Sequence, residues 1–140
     1  TCALPISLLK ARPREIVVAN RTPDKAVALV NRFRQAQLVA LEAKAFAALA
    51  GSRFDLVINA TSAGLSNEMP PLPRGIFAEG ALAYDMVYAK TTPFMTFARN
   101  EGARTADGLG MLVEQAAQAF FIWRGVRPQT APVLADLRAR

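Results

Sequence analysis

Apolar residues along this chain form short runs whose spacing predicts alternating strands and helices. Residues 16–19, IVVA, form a β-branched run without polar alternation, which is typical of a strand covered on both faces of a parallel sheet. In the segment that follows, apolar residues recur at helical spacing as far as Phe33, and Pro23 suits the first helical position. We therefore expect a helix over residues 23–35.

The later runs continue this alternation as far as residue 139. Strands are predicted at 37–42, 54–61, 81–88 and 103–106, and helices at 43–50, 92–102, 108–124 and 130–139. Alternating elements joined by right-handed crossovers predict one α/β domain over residues 1–140, with a doubly wound, Rossmann-like parallel sheet and helices at its C-terminal end. Ligands of such a sheet bind beyond the carboxyl ends of its strands.

Composition excludes several classes of protein. No apolar run approaches the ~18 residues of a membrane-spanning helix, and the N-terminus lacks the layout of a secretory signal, so a cytoplasmic protein is expected. The single cysteine, Cys2, cannot form an internal disulfide. The absence of histidine excludes Ser-His-Asp hydrolases, Cys-His proteases and histidine-ligated zinc.

The net charge of +6 is concentrated at one end of the chain. Residues 1–34 contain only two acidic side chains beside these basic ones: Lys10, Arg12, Arg14, Arg21, Lys25, Arg32 and Arg34. Such a basic region suits a solvated surface, a small phosphorylated ligand or a nucleic acid. Phe33 is the only aromatic residue there, and an interleaved stacking set for nucleic acid is therefore lacking.

The tip of the strand at 16–19 is the first candidate site. In a dinucleotide-binding sheet, an acidic residue after the second strand binds the adenosine ribose 2′-hydroxyl, whereas a basic residue accommodates a 2′-phosphate. Here the tip carries Asn20, Arg21 and Thr22, followed by Lys25. A guanidinium, a hydroxyl, helix N-terminal N–H groups and an ammonium can all bind phosphate. The alternative is a surface arginine in an ordinary turn.

Three further motifs follow predicted strands or begin a helix. NATSAG, at 59–64, has small residues that would allow a cofactor to approach, or it is a simple Asx or Ser/Thr turn. DGLGMLVEQ, at 107–115, places two glycines at a helix N-terminus, which indicates close packing. YDMVYAKTTPF, at 84–94, would put Tyr88 at a strand end, facing a polar ligand or serving the structure alone. An aromatic cluster at 120–123 is expected in the core or at a domain interface.

Taken in order, NRTPDKA, DLVINATSAGL, YDMVYAKTTPF and ADGLGMLVEQAAQAFFIWRGVRP resemble the C-terminal part of bacterial shikimate dehydrogenases, from about residue 8 to the end. The resemblance implies an NADP-dependent cytoplasmic oxidoreductase of aromatic amino-acid biosynthesis. It would interconvert the small-molecule substrates 3-dehydroshikimate and shikimate. The resemblance implies no nucleic-acid or membrane partner, and it leaves the oligomeric state and the choice between shikimate and quinate open.

The resemblance also assigns roles to particular residues. It implies adenosine 2′-phosphate contacts from Asn20, Arg21, Thr22 and Lys25, a cofactor path along Thr61 and Ser62, a nicotinamide border of Met86, Gly108 and Met111, and substrate contacts from Tyr88 and Gln115. No metal ligand is implied.

Two features depart from the family pattern. The glycine-rich pyrophosphate turn, of GAGGA type, is absent upstream of residues 7–13, and the opening TCALPI does not fit the family. Also absent is the N-terminal substrate domain that supplies the family's catalytic lysine and aspartate, and Lys90 is not that lysine. We therefore expect no catalytic residue in this chain and no dehydrogenase activity from it alone. The alternative is a free-standing, non-catalytic nucleotide-binding or interaction module.

Overall fold

The computed structural model describes residues 8–33, 39–61 and 67–139, which form an α/β fold with parallel strands. The elements are β1 (Glu15–Ala19), α1 (Pro23–Phe33), β2 (Ala40–Lys44), a 3-10 helix (Phe46–Leu49), β3 (Phe54–Asn59), β4 (Phe77–Asp85), α2 (Pro93–Asn100), β5 (Arg104–Ala106), α3 (Leu109–Arg124) and α4 (Ala131–Ala139). Two compact units divide the chain: Thr1–Ser52 with Pro71–Arg74, and Arg53–Pro70 with Gly75–Arg140.

In the first unit, β1 and β2 pair in parallel, with Ile16 opposite Leu41. Helix α1 is the crossover between them, and it buries Ala26 and Val30 while its polar residues face solvent. Leu41 of β2 is buried as well. The helical spacing of the apolar residues in α1 therefore supplies one covered face, as an α/β crossover requires.

In the second unit, the strand order is β3-β4-β5, with both pairs parallel. Its core includes Ala83 of β4 and Phe94 of α2, each almost fully buried. The Phe77 ring lies 6.5 Å from that of Phe94 and 6.0 Å from that of Phe97, both in tilted arrangements. Such contacts fasten α2 to the start of β4.

The parallel, Rossmann-like α/β class predicted from the sequence is confirmed, and the strands of the described residues form a two-stranded and a three-stranded sheet. Among the described residues, β1 pairs only with β2, and β3 only with β4.

Some predicted boundaries were wrong. Strand β4 begins at Phe77, four residues earlier than expected, because the strand continues back from its apolar run through a bulge in the pairing with β3, where Gly80 has a left-handed φ of 72°. It ends at Asp85, so Tyr88 lies beyond the strand. The helix expected over 43–50 is only a 3-10 turn, and β2 extends to Lys44. None of the described helices is long and apolar enough to cross a membrane.

Candidate functional site

The turn after β1 exposes two positively charged side chains, those of Arg21 and Lys25. The Asn20 side-chain oxygen accepts a hydrogen bond from the Thr22 backbone N–H at 2.9 Å, and the Thr22 carbonyl accepts one from the Lys25 N–H at 3.1 Å. This Asx turn makes a sharp change of direction from β1 into α1, which begins at Pro23. Arg21, at the apex of the turn, and Lys25, in the first turn of the helix, are both exposed.

The donors at this apex suit an anion with several oxygens. Within residues 8–33, 39–61 and 67–139, neither Arg21 nor Lys25 has a described ion pair. The guanidinium supplies a planar fork of donors, Lys25 adds a point charge, and the N-terminus of an eleven-residue helix adds a partial positive charge. Asp24, also in this turn, is the nearest acidic residue in sequence. The chemistry of this donor set fits a phosphate group.

The turn after β3 is also an Asx turn. The side-chain oxygen of Asn59 accepts hydrogen bonds from the Thr61 backbone N–H at 3.2 Å and from the Thr61 hydroxyl at 2.7 Å. Thr61 is exposed, but its hydroxyl group donates its proton to Asn59 at the end of β3. Ser62, its expected neighbour in the cofactor path, lies outside the described residues. The turn interpretation of NATSAG therefore holds for its first three residues.

The loop after β4 also begins with a hydrogen bond between a side chain and the backbone two residues ahead. The Asp85 carboxyl accepts the Val87 N–H at 3.0 Å, and the Met86 N–H donates to the Asn59 carbonyl at 3.1 Å. A side chain that captures a backbone donor two residues ahead competes with the strand ladder, which explains why β4 stops here. Tyr88 follows with 46% of its surface exposed, and Ala89 has a left-handed φ of 63°.

The N-terminus of α3 lies directly against this loop. Gly108 is the N-cap residue of α3 and is buried, and its N–H donates to the Val87 carbonyl at 3.2 Å. An added Cβ on Gly108 would come 2.8 Å from the Met86 carbonyl carbon. Met86 and Gly108, which the resemblance assigned to one nicotinamide border, are thus adjacent in the structure. Met111, one turn into α3, is half-buried.

Tyr84 stands beside this contact and is electrostatically perturbed. Burial raises the pKa of its hydroxyl above the ordinary value of 10.0, and the negative charge of Asp107 raises it further, while a hydrogen bond with the Met111 backbone opposes both effects. The phenol is therefore held in its neutral form next to the start of α3.

The exposed side of α3 carries the other predicted substrate residue. Gln115 is solvent-exposed. Its neighbour Glu114 accepts hydrogen bonds from the Thr130 hydroxyl at 2.6 Å and from Arg127 at 2.9 Å. The Thr130 bond, and then the hydrogen bond and charge of Arg127, lower the pKa of Glu114 below its ordinary value despite an opposing effect of burial. Glu114 thus links α3 to the segment that leads into α4.

The aromatic cluster at the end of α3 is not part of the core of its unit. Phe120, Phe121 and Trp123 are 46%, 44% and 78% exposed, and Ile122 is 70% exposed. Four consecutive large apolar residues point to all sides of a helix, and one helix face can bury only part of such a run. Of the two expectations for this cluster, core packing is wrong.

Sequence reasoning missed the buried polar group at the carboxyl ends of β3 and β4. Asn59, Asp85 and Thr92 are the buried polar residues found among the described parts of the chain. The Asp85 carboxyl accepts from the Asn59 amide at 3.1 Å and from the Thr92 hydroxyl at 2.5 Å. One signal was available, since Asn59 and Asp85 end two strands that a parallel sheet can place side by side.

Comparison with known proteins relates most of the chain to one family. A family model described as Shikimate / quinate 5-dehydrogenase matches residues 3–67, and one described as Shikimate 5'-dehydrogenase C-terminal domain matches residues 108–138. The shikimate dehydrogenase (NADP(+)) of Methylobacillus flagellatus is 63% identical over 133 residues, which are 94% of this chain and 49% of that protein. The chain belongs to the shikimate dehydrogenase family.

Solved structures agree with this shikimate dehydrogenase relationship. An Ael1 enzyme from Pseudomonas putida superposes with a TM-score of 0.87 at 49% identity, over 95% of this chain and 49% of that one. The shikimate 5-dehydrogenase of Thermus thermophilus, in complex with NADP(H) and shikimate, superposes with a TM-score of 0.78 at 32% identity, over 98% and 50%. The chain spans about half the length of the curated relatives it matches.

Proposed function

We propose that this chain is the NADP-binding part of an oxidoreductase that reduces 3-dehydroshikimate to shikimate. The observation that carries the proposal is the basic apex after β1, where the Asx turn of Asn20 exposes Arg21 at the N-terminus of α1. A basic residue at that strand tip accommodates the 2′-phosphate that distinguishes NADP from NAD. The relatives' names, which specify NADP(+), support the same choice.

The remaining cofactor contacts are proposed in the second unit. Thr61 and Ser62 would line the cofactor path, and Met86, Gly108 and Met111 would border the nicotinamide. The packing of Gly108 on the Met86 backbone supports this border, because it brings the loop after β4 and the start of α3 together. The bound cofactor would supply the hydride, and these residues would hold and orient it.

Tyr88 and Gln115 are proposed to contact the substrate. The exposure of both side chains leaves their polar ends accessible to a polar ligand. Reduction of the ketone also needs a proton for the developing alkoxide, from a group within hydrogen-bond distance. We assign no residue of this chain to that proton transfer.

Cytoplasmic localisation stays a prediction.

The test of cofactor binding is calorimetric titration of the 140-residue chain with 2′,5′-ADP, compared with 5′-AMP at the same salt concentration. Arg21→Ala should weaken 2′,5′-ADP binding roughly 10- to 100-fold, which corresponds to about 1.5 to 3 kcal/mol for a hydrogen bond to a charged group. Arg32→Ala, an exposed arginine at the other end of α1, is the matched control and should leave the affinity unchanged.

Equal affinity for the two nucleotides, or equal effects of the two arginine substitutions, would overturn the phosphate assignment. In a separate assay, the chain alone should not oxidise NADPH in the presence of 3-dehydroshikimate. Steady turnover would show that the proton donor is in this chain after all. Binding without turnover is also what a free-standing nucleotide-binding module would show. Addition of the other half of a related dehydrogenase distinguishes the two functions, because activity should appear only if this chain is part of the enzyme.

A further inference from the structure

Asp85, the last residue of β4, is a fully buried carboxyl group that accepts three hydrogen bonds. One oxygen, Oδ1, accepts from the Val87 N–H at 3.0 Å. The other, Oδ2, accepts from the Asn59 amide at 3.1 Å and the Thr92 hydroxyl at 2.5 Å. Its exposed fraction is 0%, and the described residues supply no ion pair to it.

The acceptor-only character of this group determines the direction of the surrounding hydrogen bonds. Because the Thr92 hydroxyl gives its proton to Asp85, its oxygen can accept the Met95 N–H at 3.3 Å and so cap α2. Because the Asn59 amide nitrogen faces Asp85, its oxygen faces Thr61. An ionised aspartate accepts at both oxygens and donates at neither, which suits three donors.

These hydrogen bonds reach both segments that follow a strand of the second unit and carry a proposed ligand contact, namely the turn after β3 and the loop after β4. Through Asn59 they hold the turn that carries Thr61. Through Val87 they hold the loop that carries Met86 and Tyr88, and the Val87 carbonyl in turn accepts the Gly108 N–H at the start of α3. One buried carboxylate thus connects three loops at a single edge of the sheet.

Burial of a charge without a cation is costly, and hydrogen bonds here are its only described compensation. A neutral group of the same shape would avoid that cost if the site served stability alone. We propose that Asp85 is a positioning residue, which orients the Met86–Tyr88 loop and the Thr61 turn for the nicotinamide half of the cofactor. This inference rests on the proposed NADP-binding function.

The test compares a whole dinucleotide with its adenosine half. NADP+ and 2′,5′-ADP are titrated into the chain and its Asp85→Asn variant, in which one acceptor becomes a donor at nearly constant shape. The variant should bind NADP+ roughly 10-fold more weakly. Its affinity for 2′,5′-ADP should be unchanged, because the proposed 2′-phosphate contacts are in the first unit. Asp55→Asn, with the same charge change at an exposed position of β3, should alter neither affinity.

Hydrogen exchange provides a second measurement that does not depend on any ligand. The amides of Thr61, Val87 and Gly108 should exchange faster in Asp85→Asn, whereas those of α1 should keep their protection. If Asp85→Asn does not fold, Thr92→Ala removes one donor and one cap, and it should produce the same pattern with a smaller amplitude. An equal loss of affinity for both nucleotides, or none for either, would overturn the positioning role.

The outcomes for the two proposals are distinguishable. If the unmodified chain does not bind 2′,5′-ADP, the proposed function fails, whatever Asp85 does. If it binds 2′,5′-ADP and NADP+, and Asp85→Asn binds both as the unmodified chain does, the proposed function stands and the positioning role fails.

Discussion

Gly108 packs so closely on the backbone of Met86 that a Cβ added to it would lie 2.8 Å from the Met86 carbonyl carbon. The φ of Gly108 is −75°, so any residue could adopt its conformation, and the restriction is one of space alone. We predict that Gly108→Ala destabilises the chain by about 1 to 3 kcal/mol, as overpacking does, because the obstacle is backbone. The midpoint of denaturant unfolding measures this change.

Gly110 is the matched control for that prediction. A Cβ added there would meet nothing within 4 Å, and the residue is inside α3. Gly110→Ala should therefore raise stability, by a few tenths up to about 1 kcal/mol, through helix propensity. If both variants lost stability equally, the contact with Met86 would not be the cause in Gly108→Ala.

Tyr84 should titrate above its ordinary value of 10.0, chiefly because of burial and secondarily because of Asp107. A raised pKa in the folded state favours the neutral phenol, so this stabilisation is complete below pH 10.0 and is lost as the pH rises through the folded value. Tyrosinate absorbance measures the titration, and Tyr84→Phe and Tyr88→Phe assign it, since the chain has two tyrosines. Asp107→Asn should remove only the smaller part of the rise, so the pKa of Tyr84 should stay above 10.0 in this variant. A return of the pKa to 10.0 in Asp107→Asn would contradict the order of causes.

Glu114 should make the chain sensitive to acid. The Thr130 hydroxyl, followed by Arg127, lowers its pKa from the ordinary 4.5. Its contribution to stability is therefore present above pH 4.5 and is lost as the pH falls through the folded value. Unfolding midpoints of the unmodified chain and Glu114→Gln should differ at neutral pH and converge in acid. Glu68→Gln, also at an exposed site, is the control, and the difference between its unfolding midpoint and that of the unmodified chain should not change with pH.

Trp123, the only tryptophan, should report the exposed end of α3. With 78% of its surface exposed, its fluorescence should be that of an indole in water and should be strongly quenched by iodide. We expect Trp123→Gln to reduce binding of a hydrophobic dye while leaving the unfolding free energy within about 0.5 kcal/mol, as at other surface positions. A blue-shifted, unquenched emission would show that another surface covers this helix end.

Local sequence was sufficient for most of the fold and for part of the site. The apolar spacing of α1, the Pro23 start and the glycine after Glu101 each act within a few residues, so their signals are readable in order along the chain. The basic tip at Arg21 was readable for the same reason. The early start of β4 was not readable, because Gly80 lies in an irregular part of the pairing with β3, between the partners Phe77 and Leu82, and the position of such a bulge depends on the neighbouring strand.

The sequence by itself determined the order of the elements, the parallel α/β class and the charge that follows β1, because these depend on periodicity and on residue type. Only the tertiary structure decided that Gly108 packs on Met86 and that Asp85 joins Asn59 and Thr92, since these contacts connect residues that are seven to twenty-six positions apart. A hydrogen bond depends on distances of a few tenths of an ångström, and spacing along a chain does not specify them.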